Sequence, residues 1–188
     1  MNPPNPNPCK IMIQNHRLKK LAATAFVAAL TLIACSDSTS SDTTDLDALA
    51  GDYSLTVLRF DPQGTLSEQN ILAALAVDEI QLTLTMDREA QIVYRDPATQ
   101  LIVTIPGSFR PTAEGIRLAW ASNSQYRQLL LSRTMEYTFN DATGTLVFDG
   151  EAPDGVSRAR LLELVPAFQG EQLLDPTPGV LTVTFTGS

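Results

Sequence analysis

Apolar and polar residues alternate strictly over several stretches of this chain. In the clearest stretch, the apolar residues fall on one face of an extended chain and the polar residues on the other: Ile80, Leu82, Leu84 and Met86 against Gln81, Thr83 and Thr85. A two-residue period is that of a β-strand with one buried and one solvated face, which is typical of antiparallel sheets. The pattern therefore predicts β-structure around an apolar core.

Eight further apolar stretches lie along the chain, and turn-forming residues separate them. The nine predicted strands cover residues 53–60, 79–86, 91–94, 101–105, 115–121, 127–139, 145–149, 156–165 and 180–185. The segments between them are rich in Asp, Asn, Gly and Pro, which suit tight turns. Short strands at regular spacing predict an all-β domain, either an antiparallel up-and-down barrel of about eight to nine strands or a β-sandwich.

One segment departs from the strand period and predicts a short helix. Thr65 and Glu68 have the spacing of a capping box, and Ile71, Leu72 and Leu75 form an apolar stripe at helical spacing up to about residue 77. Such a helix would join the first and second strands. It would pack either in one end of a barrel or against its outside.

The first predicted strand begins with Gly51, Asp52 and Tyr53. This start resembles the calycin and lipocalin-like lipoproteins, whose first strand opens with Gly-x-Trp or Gly-x-Tyr. The resemblance implies an up-and-down antiparallel barrel of about eight strands, closed around an apolar cavity. The chain has tyrosine where tryptophan is commoner in that family, and no Thr-Asp-Tyr turn follows.

The beginning of the chain carries a cationic patch followed by an apolar run. Arg17, Lys19 and Lys20 precede the uncharged residues 21–34, and Cys35 follows them. A membrane-spanning helix needs about 20 apolar residues. Because the run is shorter and no cluster of basic residues follows directly after it, we interpret it as a cleaved export signal, with translation starting at Met1 or Met12.

Leu32, Ile33, Ala34 and Cys35 resemble the lipobox of bacterial lipoproteins. In that family the leader is cut before the cysteine, whose sulfur carries diacylglycerol and whose amine is acylated, so that fatty chains such as palmitate hold the protein on a bilayer. Ser36, rather than aspartate, follows the cysteine, and the resemblance therefore implies transfer to the Gram-negative outer membrane. The alternative is a secretory signal cut elsewhere, with an incidental cysteine.

These features predict three regions. Residues 1–34 are the signal peptide, residues 35–48 contain the lipidated Cys35 and a flexible acidic Ser/Thr tether, and residues 49–188 form a single β-barrel domain. The prediction leaves open whether the domain faces the periplasm or the cell surface.

Removal of the leader changes the chemistry that is available to the protein. The chain from Cys35 onward has nine arginines, no lysine, no histidine and 21 acidic residues, which gives a formal charge of −12. Such a chain repels nucleic acid, and we predict no nucleic-acid partner. Without histidine, lysine or a free thiol it has no catalytic triad, lysine or cysteine nucleophile, or common zinc site. We therefore predict no enzyme activity, no metal and no cofactor.

Four residues are candidates for ligand binding. Arg158 and Arg160 share one face of the predicted strand 156–165, where two guanidinium groups would suit a carboxylate or phosphate head group. Trp120 and Tyr137 would line a barrel cavity. The alternatives are that the arginines are solvated or paired with surface acids, and that the aromatic residues are ordinary core.

Two functions follow from these features, and a third is less favoured. The first is non-catalytic capture of a small hydrophobic or amphiphilic ligand inside the barrel. The alternative is a protein-interaction or inhibitor module that engages an envelope protein and whose barrel is solid. The third is an enzyme that uses carboxylates and arginine, which lacks a base that titrates near neutral pH.

Overall fold

The structure is a computed structural model that describes residues 44–188. One antiparallel sheet dominates it. Its strands are β1 Gly51–Pro62, β2 Gln69–Asn70, β3 Ile80–Leu84, β4 Glu89–Arg95, β5 Ile102–Pro111, β6 Gly115–Trp120, β7 Thr134–Asn140, β8 Thr145–Glu151 and β9 Gly179–Gly187. The short helices are α1 Leu46–Leu49, α2 Ile71–Leu75 and α3 Arg158–Leu164, with 3₁₀ helices at Tyr126–Leu129 and Pro166–Phe168.

The sheet closes into a barrel of eight strands. From β3 to β9 each strand pairs with its neighbour in the chain, and β1 pairs with both β3 and β9. The short strand β2 pairs only with the end of β1 and stands outside the ring. The predicted all-β, antiparallel up-and-down barrel is thereby confirmed.

The two ends of the barrel are built differently. At one end, which we call the hairpin end, β3 and β4, β5 and β6, and β7 and β8 are joined by short turns at 85–88, 112–114 and 141–144. At the other, the helical end, the connections 63–79, 96–101, 121–133 and 152–178 are longer and hold α2, α3 and both 3₁₀ helices. The long connections therefore lie at one end only.

The described chain enters the barrel at its hairpin end. The backbone N–H of Thr44 donates to the carbonyl of Thr112 at 2.9 Å, and Asp45 caps the one-turn helix α1. Leu49 at the end of α1 is fully buried, and its carbonyl accepts a hydrogen bond from the Tyr53 hydroxyl at 2.8 Å. Residues 44–48, which precede the predicted domain boundary at residue 49, thus include a contact with the turn at 112–114 and most of helix α1.

The inward faces of the strands form one continuous apolar core. The alternation in β3 leaves Ile80, Leu82 and Leu84 buried, as the sequence predicts, whereas Met86 lies beyond the end of β3 and is exposed. Large side chains fill the middle of the barrel; those that are fully buried include Trp120, Tyr137, Phe60, Phe109 and Phe185. The aromatic residues thus pack against one another inside the ring.

The predicted strand at 156–165 is wrong, because this segment contains helix α3. Ser157 caps the helix by accepting from the backbone N–H of Arg160, and the Arg-Ala-Arg-Leu-Leu-Glu-Leu sequence consists of strong helix formers. Leu161 and Val165, four residues apart, are both buried. The buried positions therefore follow helical spacing and not the two-residue alternation that begins at Val156.

Two other predicted elements are shorter than expected. The strand predicted at 127–139 begins only at Thr134, because the consecutive residues Leu129, Leu130 and Leu131 are all buried, and a strand with one wet face does not allow that. The helix predicted from Thr65 is limited to α2, with Asn70 as its cap.

No helix within residues 44–188 is both long enough and apolar enough to cross a bilayer. The predicted leader 1–34 and the predicted lipidation site Cys35 lie outside the described residues.

Replacing Leu49 with alanine tests whether α1 is part of the folded domain. We expect Leu49→Ala to lower the free energy of unfolding by about 2–4 kcal/mol, because it leaves a cavity at the base of the core. The control is Asp47→Ala, at an exposed position of α1, which should change the free energy of unfolding by less than about 0.5 kcal/mol. Denaturant unfolding measures both, and equal effects would contradict the packing described here.

Candidate functional site

Two of the four predicted ligand-binding residues belong to the filled core. Trp120 and Tyr137 each expose only 2 % of their surface. The ring of Tyr137 lies 6.0 Å from that of Phe148 and 5.9 Å from that of Phe185, which are favourable aromatic distances. Burial raises the pKa of the Tyr137 hydroxyl, which lies 3.7 Å from Met135 Sδ. These contacts suit side chains that fill a barrel.

The indole of Trp120 is placed by a glycine on the neighbouring strand. A Cβ at Gly107 would come within 2.7 Å of the indole ring, so the ring fits only because β5 carries glycine at this point. Trp120 Nε1 has no hydrogen-bond partner within residues 44–188. Its contribution to the core is therefore apolar area and volume.

The two predicted arginines do not share a face. They are two positions apart on α3, which turns their directions by about 200°. Arg158 is exposed, and its backbone N–H, not its guanidinium, donates to Asp175 Oδ1 at 3.3 Å. Arg160 points into a cleft at the helical end. The predicted pair of guanidinium groups at a barrel mouth is thus wrong, because the segment is a helix.

Arg160 connects two parts of the helical end, helix α3 and the first 3₁₀ helix. Its Nε donates to the carbonyl of Gln128 at 3.1 Å, which ties α3 to the first 3₁₀ helix. Its Nη1 lies 2.7 Å from Glu163 Oε1, one turn further along α3. The Arg160 side chain is 20 % exposed whereas that of Glu163 is 67 % exposed. The guanidinium therefore has a partly buried, oriented position.

The cleft around Arg160 has a volume of about 400 Å³. Helices α2 and α3, the first 3₁₀ helix and the turn between β4 and β5 form its walls. Apolar side chains of α2 and α3 line one part of it, including Leu75 and Leu164, and the polar groups of Tyr94, Asp96 and Gln128 line another. This volume lies in the lower range of ligand pockets in proteins.

The charges in this cleft do not favour an anion. Backbone hydrogen bonding from Thr99, together with its hydroxyl and the N–H of Ala98, holds the pKa of Asp96 below its usual value, so this carboxylate stays ionised. Burial raises the pKa of Tyr94, the charge of Asp96 adds to this effect, and Arg160 opposes it. One guanidinium therefore faces two carboxylates, those of Asp96 and Glu163, and the cleft has no net positive charge.

Tyr94 and Asp96 are residues of this site that the sequence analysis did not single out. Tyr94 continues the inward alternation of β4, and Asp96 begins a turn whose Asp-Pro-x-Thr pattern is visible in the sequence. Only the packing of α2 and α3 over this turn makes them part of a cleft.

Other clefts open at the same end of the barrel. Four more of them, with volumes of about 260, 320, 610 and 400 Å³, are lined by residues of the long connections and of the strand ends next to them. No group of three or more His, Cys, Asp or Glu side chains within residues 44–188 is placed to hold a metal ion.

Comparison with known proteins identifies no relative. No protein-family model, no curated protein and no solved structure matches this chain.

Replacement of Arg160 tests its role in joining the parts of the helical end. Arg160→Met keeps the aliphatic stem and removes the hydrogen bond to Gln128, and we expect it to lower the free energy of unfolding by about 1–2 kcal/mol. It should also raise the pKa of Tyr94, since Arg160 lowers that pKa.

The matched control for this experiment is Arg158→Met on the same helix. It should change stability by less than about 0.5 kcal/mol, because the Arg158 side chain is exposed. Thermal unfolding and NMR titration of the tyrosine rings measure the two effects. If both variants change stability and the pKa of Tyr94 to the same extent, Arg160 does not tie α3 to the first 3₁₀ helix.

Proposed function

We propose that this chain is a non-catalytic protein-interaction module, anchored by lipid on Cys35 to the outer membrane of a Gram-negative envelope. The observation that supports the proposal is that the two ends of the barrel are built differently. The interior is packed with large side chains, the described chain enters at the hairpin end, and the clefts lie at the helical end. A solid barrel is a rigid support for a surface and not a container.

The anchor proposal is supported by the sequence around Cys35. A cationic patch, an uncharged run, a lipobox-like Leu-Ile-Ala-Cys and a polar segment follow one another in the order found in bacterial lipoproteins. Nine residue steps separate Cys35 from Thr44, which is at most about 30 Å of fully extended chain. An anchor at Cys35 therefore restrains the hairpin end more closely than the helical end.

The charge of the chain supports a protein partner over a lipid surface. A formal charge of −12 after Cys35 repels anionic head groups and nucleic acid, and attracts basic protein segments. The absence of lysine and histidine from this part of the sequence also supports a binding role.

A second candidate function is capture of a small amphiphile in the Arg160 cleft. The combination of apolar Leu75 and Leu164 with polar Tyr94 and Arg160 favours it. In that case the ligand lies at the helical end and not inside the barrel, and a neutral or zwitterionic head group fits the balance of charges.

Replacing the anchor cysteine tests the membrane attachment. We expect Cys35→Ser to lose incorporation of labelled palmitate and to leave the membrane fraction, because the fatty chains would be the attachment. The unmodified chain, expressed alongside, is the reference. Unchanged fractionation of the variant would overturn the lipoprotein proposal.

Crosslinking from the two ends of the barrel tests the interaction function. A photo-crosslinking side chain is placed at the exposed Gln128 of the helical end in one variant and at the exposed Asp141 of the hairpin end in the other. We expect a discrete protein adduct from the helical end only. The same adducts from both ends, or none from either, would contradict the proposal.

Native mass spectrometry of the gently extracted protein separates the two candidates. A co-purifying mass of lipid size that disappears in Arg160→Met would favour capture of a small amphiphile. A clean protein mass together with the helical-end adduct would favour the interaction module.

A further inference from the structure

Strand β5 is longer than the strand that follows it. β5 pairs with β4 from Ile102 to Ser108, but its pairing with β6 begins only at Gly107, opposite Trp120. After Trp120 the chain leaves the sheet, with the N–H of Ala121 still donating to the carbonyl of Pro106 at 3.0 Å. Residues 102–105 therefore have no strand partner on this side within residues 44–188.

The free side of this segment presents backbone hydrogen-bonding groups. Along a strand these groups point alternately to the two neighbours. Phe109 donates to Arg88 on the β4 side, and the carbonyl of Pro106 accepts on the β6 side. The alternation then directs the N–H and C=O of Thr104 and Ile102 to the open side.

A groove runs beside these groups. It has a volume of about 610 Å³ and lies between the start of β5 and the turn at 123–125. Leu101 and Ile102, at the start of the segment, are 67 % and 58 % exposed. The groove thus combines backbone hydrogen-bonding groups with exposed apolar side chains, as binding sites for an added strand do.

The protections of this edge are its short length and Pro106, which follows the segment and has no backbone N–H. Residues 101–105 themselves contain no charge and no proline, and the pairing of 102–105 with β4 is regular and without a bulge. An uncharged, regular edge segment of this kind can pair with another chain. A soluble domain would be expected to cover it, and a partner strand would do so.

The charge that lines the groove indicates which kind of partner segment fits it. Asp96 is the charged side chain that lines the groove, at the end near Ile102. A second copy of this protein would bring the same negative charge and the same carboxylate. A segment with a lysine or arginine at the matching end would place a cation beside Asp96.

We propose that an extended segment of a partner protein adds to the barrel as an antiparallel strand beside residues 102–105, with a basic residue near its C-terminal end facing Asp96. This inference rests on the proposed interaction function and specifies its site. The added strand would continue the line of β6 beside β5. It would therefore run in the same direction as β6, toward Asp96. The side chains of the added strand would cover Leu101 and Ile102.

The test uses a short synthetic peptide and the detergent-solubilised mature lipoprotein. The probe is an acetylated, amidated seven-residue peptide of alternating valine and threonine with lysine at the C-terminal end. We expect it to shift the backbone amide NMR signals of Ile102 and Thr104 and to leave those of the hairpin end unchanged. A matched peptide with glutamate in place of lysine should bind about tenfold more weakly.

Two variants at one position isolate the backbone contact. Thr104→Pro removes the N–H that points into the groove and leaves the pairing with β4 intact, and proline is tolerated on a free strand edge. We expect about tenfold weaker peptide binding for this variant, whereas Thr104→Ala, which alters only the side chain, should bind as the unmodified protein does. Equal binding by all three proteins would overturn the proposal.

A variant at Asp96 keeps the test decisive if the proline variant does not fold. Asp96→Asn retains the oxygen that accepts hydrogen bonds from Ala98 and Thr99 and removes the negative charge. It should abolish the preference for the lysine peptide over the glutamate peptide. A preserved preference, or amide shifts confined to the Arg160 cleft, would overturn the proposed site.

The same variant separates this inference from the proposed function. If Thr104→Pro still forms the helical-end crosslink in full amount, the strand-addition site is wrong while the interaction function stands. If the unmodified protein forms no such crosslink, the interaction function itself is wrong.

Discussion

Pairing of the first long strand with the last closes the sheet into a barrel. β1 and β9 pair along their lengths, with one irregularity between Leu55 and Val57. Without this closure both would be exposed edges, and the apolar faces of eight strands would not surround a common interior. The contact is close: a Cβ at Gly179 would come within 2.6 Å of the Phe60 ring, so glycine is needed where β9 begins.

The closed ring has short turns at one end and long connections at the other. Short turns at the hairpin end and the buried Leu49 complete the base of the barrel. The long connections at the opposite end do not contribute to closure, and they carry the helices and the clefts. Loops supported by a rigid sheet are where binding residues are commonly found. For that reason we place the interaction surface there.

Because large side chains are packed inside the barrel, we propose that binding takes place on its outside. Side chains such as Trp120 and Tyr137 lie where a ligand would lie in a hollow barrel, and their burial leaves them no contact with solvent. Arg160, in contrast, is oriented by Gln128 and Glu163, and the start of β5 has no strand partner on the β6 side within residues 44–188. Both features lie at the helical end.

Alternation such as that of Ile80, Leu82 and Leu84 was enough to predict the fold class, because it requires one buried face, and short turns between such strands favour an antiparallel ring. The alternation did not locate the site. The segment from Val156 fits two periods, and the helical one prevailed because Leu161 and Val165 had a core to pack against. The folded arrangement was needed to show that Trp120 and Tyr137 are buried in the core and that Arg158 and Arg160 point apart. It was also needed to show that β5 extends beyond β6, since these properties depend on contacts between residues that are distant in the chain.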